Sequence, residues 1–134
     1  MALSYAQGFV LIAISCMFAV SHAETVVVGG SENWRYGFNY TDWSLKHGPF
    51  YINDTLVFKY EPPHNVYLLP NLWSFIKCDF SRATLLANPT QGSGEGFMYV
   101  LSNWRVYYFA SSADSDCKNG MMKFFAIPLP RRFP

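Results

Sequence analysis

The sequence has little charge of either sign and few histidines. Its 134 residues include 10 Lys or Arg, 9 Asp or Glu and 3 His, which leaves a formal net charge of +1. A nucleic-acid-binding surface needs a large and clustered excess of cations. The Arg131-Arg132 pair is the only basic doublet. The composition therefore argues against a nucleic-acid partner.

A long apolar segment is also missing. Residues 9–20 form a 12-residue run that is apolar except for Ser15, whereas a membrane-spanning helix needs about 20 apolar residues. Ser21-His22-Ala23 follows, with small residues at the −3 and −1 positions of a cleavage site. We predict that residues 1–23 are a signal peptide, although residues 1–8 lack Lys and Arg, and that residues 24–134 form one domain. An uncleaved anchor and a cytosolic protein are the alternatives.

Cysteine is scarce, with 3 in the whole chain. Cys16 lies in the predicted signal peptide, which leaves Cys78 and Cys117. Two cysteines in an exported chain form a disulfide by default. Closing that loop would contribute roughly 4 kcal/mol in the chain-entropy model.

Aromatic residues are abundant at 19% of the chain. Short aromatic and β-branched runs separated by turn formers are typical of all-β proteins. Leu56, Phe58 and Tyr60 alternate with Thr55, Val57 and Lys59, which predicts one buried and one solvated face. We predict a two-sheet sandwich with strands over residues 25–28, 55–60, 65–69, 97–101, 105–110 and 123–129, and short helical turns over 41–46 and 71–77.

Two N-glycosylation sequons are intact, at Asn39 and Asn53, while a third at Asn88 is blocked by Pro89. If the chain is exported, we predict glycans on Asn39 and Asn53. The alternative is that both are ordinary turn residues.

Seven short stretches stand out: Val28-Gly29-Gly30-Ser31 with Trp34, Tyr40-Thr41-Asp42-Trp43, Asn53 to Tyr60, His64-Asn65-Val66-Tyr67, Cys78-Asp79, Tyr107-Tyr108-Phe109 and Cys117 to Met121. Together they resemble the phytocyanins, the plant branch of the blue-copper cupredoxins that includes early nodulin-like proteins. They keep the order and approximate spacing of that family over residues 25–127. The resemblance implies an all-β, cupredoxin-like Greek-key β-sandwich with one or two short helices, and a metal pocket closed by a disulfide matching Cys78 and Cys117.

The same resemblance assigns four metal-ligand positions. His64 stands at the first imidazole, Ser111 at the thiolate, Asp116 at the second imidazole and Met121 at the axial ligand. Type 1 copper needs two imidazoles and a thiolate, and a serine hydroxyl cannot replace the thiolate. We therefore expect no intact copper site and no cofactor, although typical relatives bind copper. Adventitious copper or zinc on His64, Asp116 and Met121 is the alternative.

Other interpretations of these residues are weaker. Residues 111–116 resemble a calcium loop only in composition, and we interpret them as a solvated loop. Ser111, His64 and Asp116 could be written as a hydrolase triad, but no nucleophile-elbow motif accompanies them, so we expect no enzyme. Met121 and Met122 are interpreted as packing residues.

These observations favour a secreted, monomeric domain that acts as a binding, structural or signalling module of the cell surface or wall. Its partner would be an extracellular carbohydrate, a peptide or a receptor ectodomain, contacted by exposed members of the tryptophan set. That set comprises Trp34, Trp43, Trp73 and Trp104. The alternative is a copper-binding electron-transfer protein similar to plantacyanins.

The sequence also bears on where the protein resides. Many relatives carry a Pro/Ser-rich stalk and a hydrophobic tail that directs lipid anchoring. Neither feature is found in residues 127–134, so we expect release into the apoplast with no transmembrane segment in the mature chain. Association with the plasma membrane is the alternative.

Overall fold

The computed structural model describes residues 23–131, so nearly all of the predicted signal peptide and residues 132–134 lie outside it. Most of the regular structure in this part is strand. The strands are Thr25–Val27 (β1), Thr55–Phe58 (β2), Val66–Leu69 (β3), Thr84–Ala87 (β4), Phe97–Val100 (β5), Tyr107–Ala110 (β6) and Lys123–Ala126 (β7). The helices are Tyr40–His47 (α1) and Leu72–Lys77 (α2), with a short 3-10 turn at Gly30–Glu32.

The strands form two sheets. The first has the order β1-β2-β5, with β1 parallel and β5 antiparallel to β2. The second has the order β4-β3-β6-β7 and is antiparallel throughout. The predicted all-β sandwich with short helices is confirmed.

An aromatic core joins the two sheets. The ring of Phe58 in β2 lies 5.4 Å from that of Phe109 in β6 and 6.1 Å from that of Phe124 in β7. Trp34 is fully buried, 5.3 Å from the Phe58 ring. Its indole N–H donates to the carbonyl of Asn65 at 2.9 Å, which satisfies the one polar group of the side chain. The core therefore also fixes the backbone just before β3.

Helix α1 packs against β7, the edge strand of the second sheet. The Asn39 side chain caps it by accepting from the backbone N–H of Asp42 at 3.0 Å, and Gly48 with φ of 99° follows its end. The Thr41 hydroxyl donates to the carbonyl of Lys123 in β7 at 3.0 Å. The helix is thus held to the last strand by a polar bond.

Helix α2 and a disulfide close the outer face of the second sheet. Asn71 caps the helix through the N–H of Ser74 at 2.9 Å. Cys78 ends the helix in the left-handed conformation and is bonded to Cys117, as predicted. Leu69, Phe75 and Ala110 pack with Cys117 into a second small core. The disulfide therefore ties α2 to the connection between β6 and β7.

Strands β4 and β2 differ from the sequence-based prediction. Strand β4 was not predicted, because it is a short edge strand whose Thr84 and Leu85 are exposed and lack the alternation of a half-buried strand. The predicted solvated face of β2 fails at Val57, which is buried. Gly96 packs over it so closely that an added Cβ would lie 3.1 Å from a Val57 methyl carbon.

We predict that replacing both disulfide cysteines by serine lowers the free energy of unfolding by roughly 3–4 kcal/mol, because the bridge closes a loop spanning 39 residues. Denaturant unfolding of the oxidised protein and of the double variant gives this difference. The reduced wild type is the matched control and should unfold like the variant. Equal midpoints for the oxidised protein and the variant would contradict the prediction.

Candidate functional site

The fold brings together three of the residues that the resemblance matches to copper-ligand positions. His64 precedes β3 and Ser111 follows β6, and these antiparallel neighbours pair Tyr67 with Ala110. Asp116 lies in the connection from β6 to β7. His64, Ser111 and Asp116 therefore meet at one end of the second sheet.

The carboxylate of Asp116 is the centre of this cluster. Its side chain is 5% exposed, and its Oδ2 atom accepts two hydrogen bonds of 2.7 Å, from His64 Nδ1 and from the Ser111 hydroxyl. A buried carboxylate is costly unless donors satisfy it. Ser111 and Asp116, which we expected to replace two copper ligands, thus form a hydrogen-bonded set with His64.

Asn65 completes the set, and the sequence analysis gave it no role. Its backbone N–H donates to the Ser111 hydroxyl oxygen at 3.2 Å, and its Oδ1 accepts from the N–H of Ser112 at 2.8 Å. Its Nδ2 donates to the Ser112 hydroxyl at 2.9 Å. The only available signal was its place beside His64 in the matched stretch His64-Asn65-Val66-Tyr67.

Residues 111–116 are not the solvated loop that we predicted, since Ser111 and Asp116 are buried. The backbone folds the segment inward. The N–H of Ser111 donates to the carbonyl of Met122 at 3.0 Å, and the N–H of Met122 donates to the carbonyl of Asp116 at 2.9 Å. Of the two acidic residues in this segment, Asp114 is exposed and Asp116 is buried.

The two methionines have different environments. Met122 is fully buried, as expected of a packing residue. Met121 is 38% exposed and has a φ of 57°, so the interpretation as a packing residue is wrong for it. Among the described residues, its thioether takes no part in the hydrogen bonds of His64, Ser111 and Asp116.

The side chains present do not fit type 1 copper. A carboxylate oxygen only accepts hydrogen bonds, so in the 2.7 Å contact with Asp116 His64 Nδ1 is the donor and directs no lone pair into the cluster. Ser111, which the resemblance matches to the thiolate, supplies a hydroxyl, which suits neither the geometry nor the softness of the copper bond. Within residues 23–131, no group of three or more His, Cys, Asp or Glu side chains could hold a metal ion.

The cluster is not arranged as a hydrolase triad either. In a triad the imidazole lies between the serine and the carboxylate, so that it can take the hydroxyl proton. Here the carboxylate of Asp116 lies between Ser111 and His64. The hydroxyl therefore donates to the carboxylate and is not activated as a nucleophile.

An open groove of about 420 Å³ lies beside His64. Its lining combines charges of both signs with the edges of buried aromatic residues and includes Trp34, Arg35, Lys59, Tyr60, Glu61 and Ser93. Burial raises the pKa of Tyr60 to about 12, so its phenol stays neutral and donates to the carbonyl of Asn88 at 2.6 Å. The groove thus combines polar and apolar surface above buried aromatic residues.

Solved structures identify the fold class. The chain is similar to cucumber stellacyanin with Cu²⁺, with a TM-score of 0.68 and 21% identity over 83% of this chain and 100% of that one. It is also similar to cucumber basic protein, a blue copper protein, with a TM-score of 0.62 and 29% identity over 78% of this chain and 99% of that one. The sandwich is a cupredoxin fold.

Sequence relatives identify the family. The family model described as a plastocyanin-like domain matches residues 33–121. Early nodulin-like protein 2 of Arabidopsis thaliana is 29% identical over 93% of this chain, which spans 34% of that relative. Blue copper protein 1a of Medicago truncatula is 28% identical over 92% of this chain and 73% of its own length. The chain belongs to the phytocyanin family of cupredoxins.

We predict that Asp116→Asn lowers the free energy of unfolding by about 2 kcal/mol, because a neutral amide replaces the charged acceptor of two buried donors. Thermal or denaturant unfolding gives the change. Asp114→Asn is the matched control, since Asp114 is exposed in the same loop, and should leave stability nearly unchanged. Equal losses in the two variants would show that the bonds to Asp116 contribute nothing specific.

Proposed function

We propose that this phytocyanin domain works without copper, as an extracellular binding or structural module of the cell surface or wall. The observation that carries the proposal is the bonding of Asp116 to both His64 and Ser111. These residues occupy three of the four positions matched to copper ligands, and they satisfy one another. Electron transfer through type 1 copper requires a thiolate ligand, and Ser111 supplies a hydroxyl at the matched position.

The alternative is a copper-binding electron carrier. It is favoured by the similarity to Blue copper protein 1a and to cucumber basic protein. Fold and family alone do not establish an activity that depends on particular ligands. The side chains at Ser111 and Asp116 are therefore stronger evidence about copper binding than the similarity to blue copper proteins.

Two surfaces support a recognition role. One is the groove of mixed polar and apolar lining beside His64. The other is α2, where Trp73 is 64% exposed beside exposed Leu72 and Ile76, and Lys77 Nζ lies 4.8 Å from the Trp73 ring centre. Exposed tryptophan stacks on sugars and anchors protein interfaces. A carbohydrate, a peptide or a receptor ectodomain is the proposed partner.

The four tryptophans do not contribute equally to such a surface. Trp34 belongs to the core and Trp43 is half-buried. Trp104 is 71% exposed. Trp73 and Trp104 are therefore the two tryptophans from which contact with a partner is expected.

Secretion and glycosylation belong to the same proposal. The predicted signal peptide would direct export, and no helix in residues 23–131 has the length and apolar character to cross a membrane. Asn39 and Asn53 are both exposed. The cap on α1 uses the Asn39 side-chain oxygen, which leaves the amide nitrogen for a glycan.

We predict that the secreted wild type binds no stoichiometric copper and develops no thiolate-to-copper absorption band on titration with copper(II). The variant carrying both Ser111→Cys and Asp116→His should develop that band, because it restores the ligand set of two imidazoles, a thiolate and a thioether. Visible absorption and paramagnetic resonance measure both. A blue wild type would overturn the proposal in favour of electron transfer.

We also predict that Asn39→Gln and Asn53→Gln each remove one glycan from the protein secreted by plant cells. Intact mass before and after enzymatic deglycosylation measures the loss. Asn88→Gln is the matched control, because its sequon is blocked by Pro89, and should leave the glycan mass unchanged. An unmodified wild type would contradict the prediction.

A further inference from the structure

A second buried carboxylate, that of Asp54, collects donors from three separate parts of the chain. Asp54 is 3% exposed. Its Oδ1 accepts from the backbone N–H of Glu24 at 3.0 Å and from the Arg131 guanidinium at 2.8 Å. Its Oδ2 accepts from the N–H of Tyr51 at 2.8 Å. The start of β1, the turn before β2 and the tail after β7 therefore meet at one side chain.

Glu24 is the first residue after the predicted cleavage site, and both its backbone nitrogen and its carbonyl are hydrogen-bonded. Its nitrogen faces Asp54, and its carbonyl accepts from the N–H of Thr55 at 2.9 Å. Ala23, immediately before it, is exposed and outside any strand. The position at which a new chain end would arise is therefore already fixed against a buried carboxylate.

We propose that Asp54 is the binding site for the α-amino group created when the signal peptide is removed after Ala23. This rests on the secretion proposed above and adds a docking site for its product. In the hydrolysis, a water molecule cleaves the Ala23–Glu24 bond, the new carboxylate leaves with Ala23, and the nitrogen of Glu24 becomes an ammonium. Maturation thus replaces a neutral amide donor with a cationic one, without moving the nitrogen.

The charges around the site suit this exchange. A free α-amino group titrates near pH 8, at roughly 7.7–8.0, so it is cationic at neutral and acidic pH. Charge-assisted bonds to a carboxylate are about twice as strong as neutral ones. The other cation present, Arg131, also lies over the Tyr51 ring at 4.9 Å, which helps to hold it beside the ammonium. Asp54 would then bind two cations in a largely buried setting.

The experiment uses the full chain, secreted by a eukaryotic host, with a serine inserted between Ala23 and Glu24 as the test variant. The insertion leaves the signal peptide intact but moves the α-amino group one residue away from Asp54. N-terminal sequencing should give Glu24 for the wild type and the added serine for the variant. We expect the wild type to have a Tm higher by about 4 °C.

Asp54→Asn in both backgrounds is the decisive control. If the ammonium acts through Asp54, the Tm difference between the two chain ends should disappear in the pair of proteins that carry this substitution. Equal Tm values with aspartate present, or a difference that persists without it, would overturn the proposal. A wild-type chain that begins at another residue would overturn it as well.

A second measurement covers the case in which Asp54→Asn fails to fold. An aldehyde reagent selective for N-termini should label the wild type at least about tenfold more slowly than the serine-extended chain, because the docked amine is bonded to Asp54 and charge-assisted bonds of this kind are strong. Equal labelling rates would overturn the proposal. Copper titration of the same samples is independent of these results, so failure here is distinguishable from failure of the copper-free function.

Discussion

The end of the sandwich that holds the candidate site depends on the buried carboxylate of Asp116, which needs hydrogen-bond donors. Asp116 is followed directly by Cys117, whose disulfide fixes the loop beneath α2. The carboxylate therefore cannot turn out to solvent without breaking the packing around that bridge. Its two donors, His64 and Ser111, come from the ends of neighbouring strands, so the same bonds that neutralise the carboxylate also close the end of the sheet.

The differences from a copper site are best understood as a pair. A serine alone at the thiolate position would leave a hydroxyl and an imidazole in a pocket shaped for a cation. Asp116 supplies the acceptor that both need, and the set becomes polar, satisfied and metal-independent. Buried networks of this kind stabilise a structure when every member has a partner. The end of the sheet then has the chemistry of a buried polar network.

The sequence predicted the sandwich because its aromatic and β-branched runs are separated by clear turns, and Phe58 and Phe109 do face one another across the sheets. It missed β4, whose exposed Leu85 carries no alternation signal. The meeting of His64, Ser111 and Asp116 followed from the family resemblance. The central role of Asp116 could not be predicted, because its burial depends on backbone bonds between Asp116, Met122 and Ser111 that leave no trace in residue patterns.

Asp54 precedes β2, whereas His64, which bonds to Asp116, follows β2. The two buried carboxylates, those of Asp54 and Asp116, therefore lie at opposite ends of the sandwich. Each gathers donors from segments distant in the sequence, and the aromatic core and the disulfide hold what lies between. Side chains and backbone groups of the chain itself satisfy both carboxylates, so neither end needs a bound cation to offset the cost of burying charge. Under the proposed copper-free function, the groove and Trp73 are then the surfaces on which recognition depends.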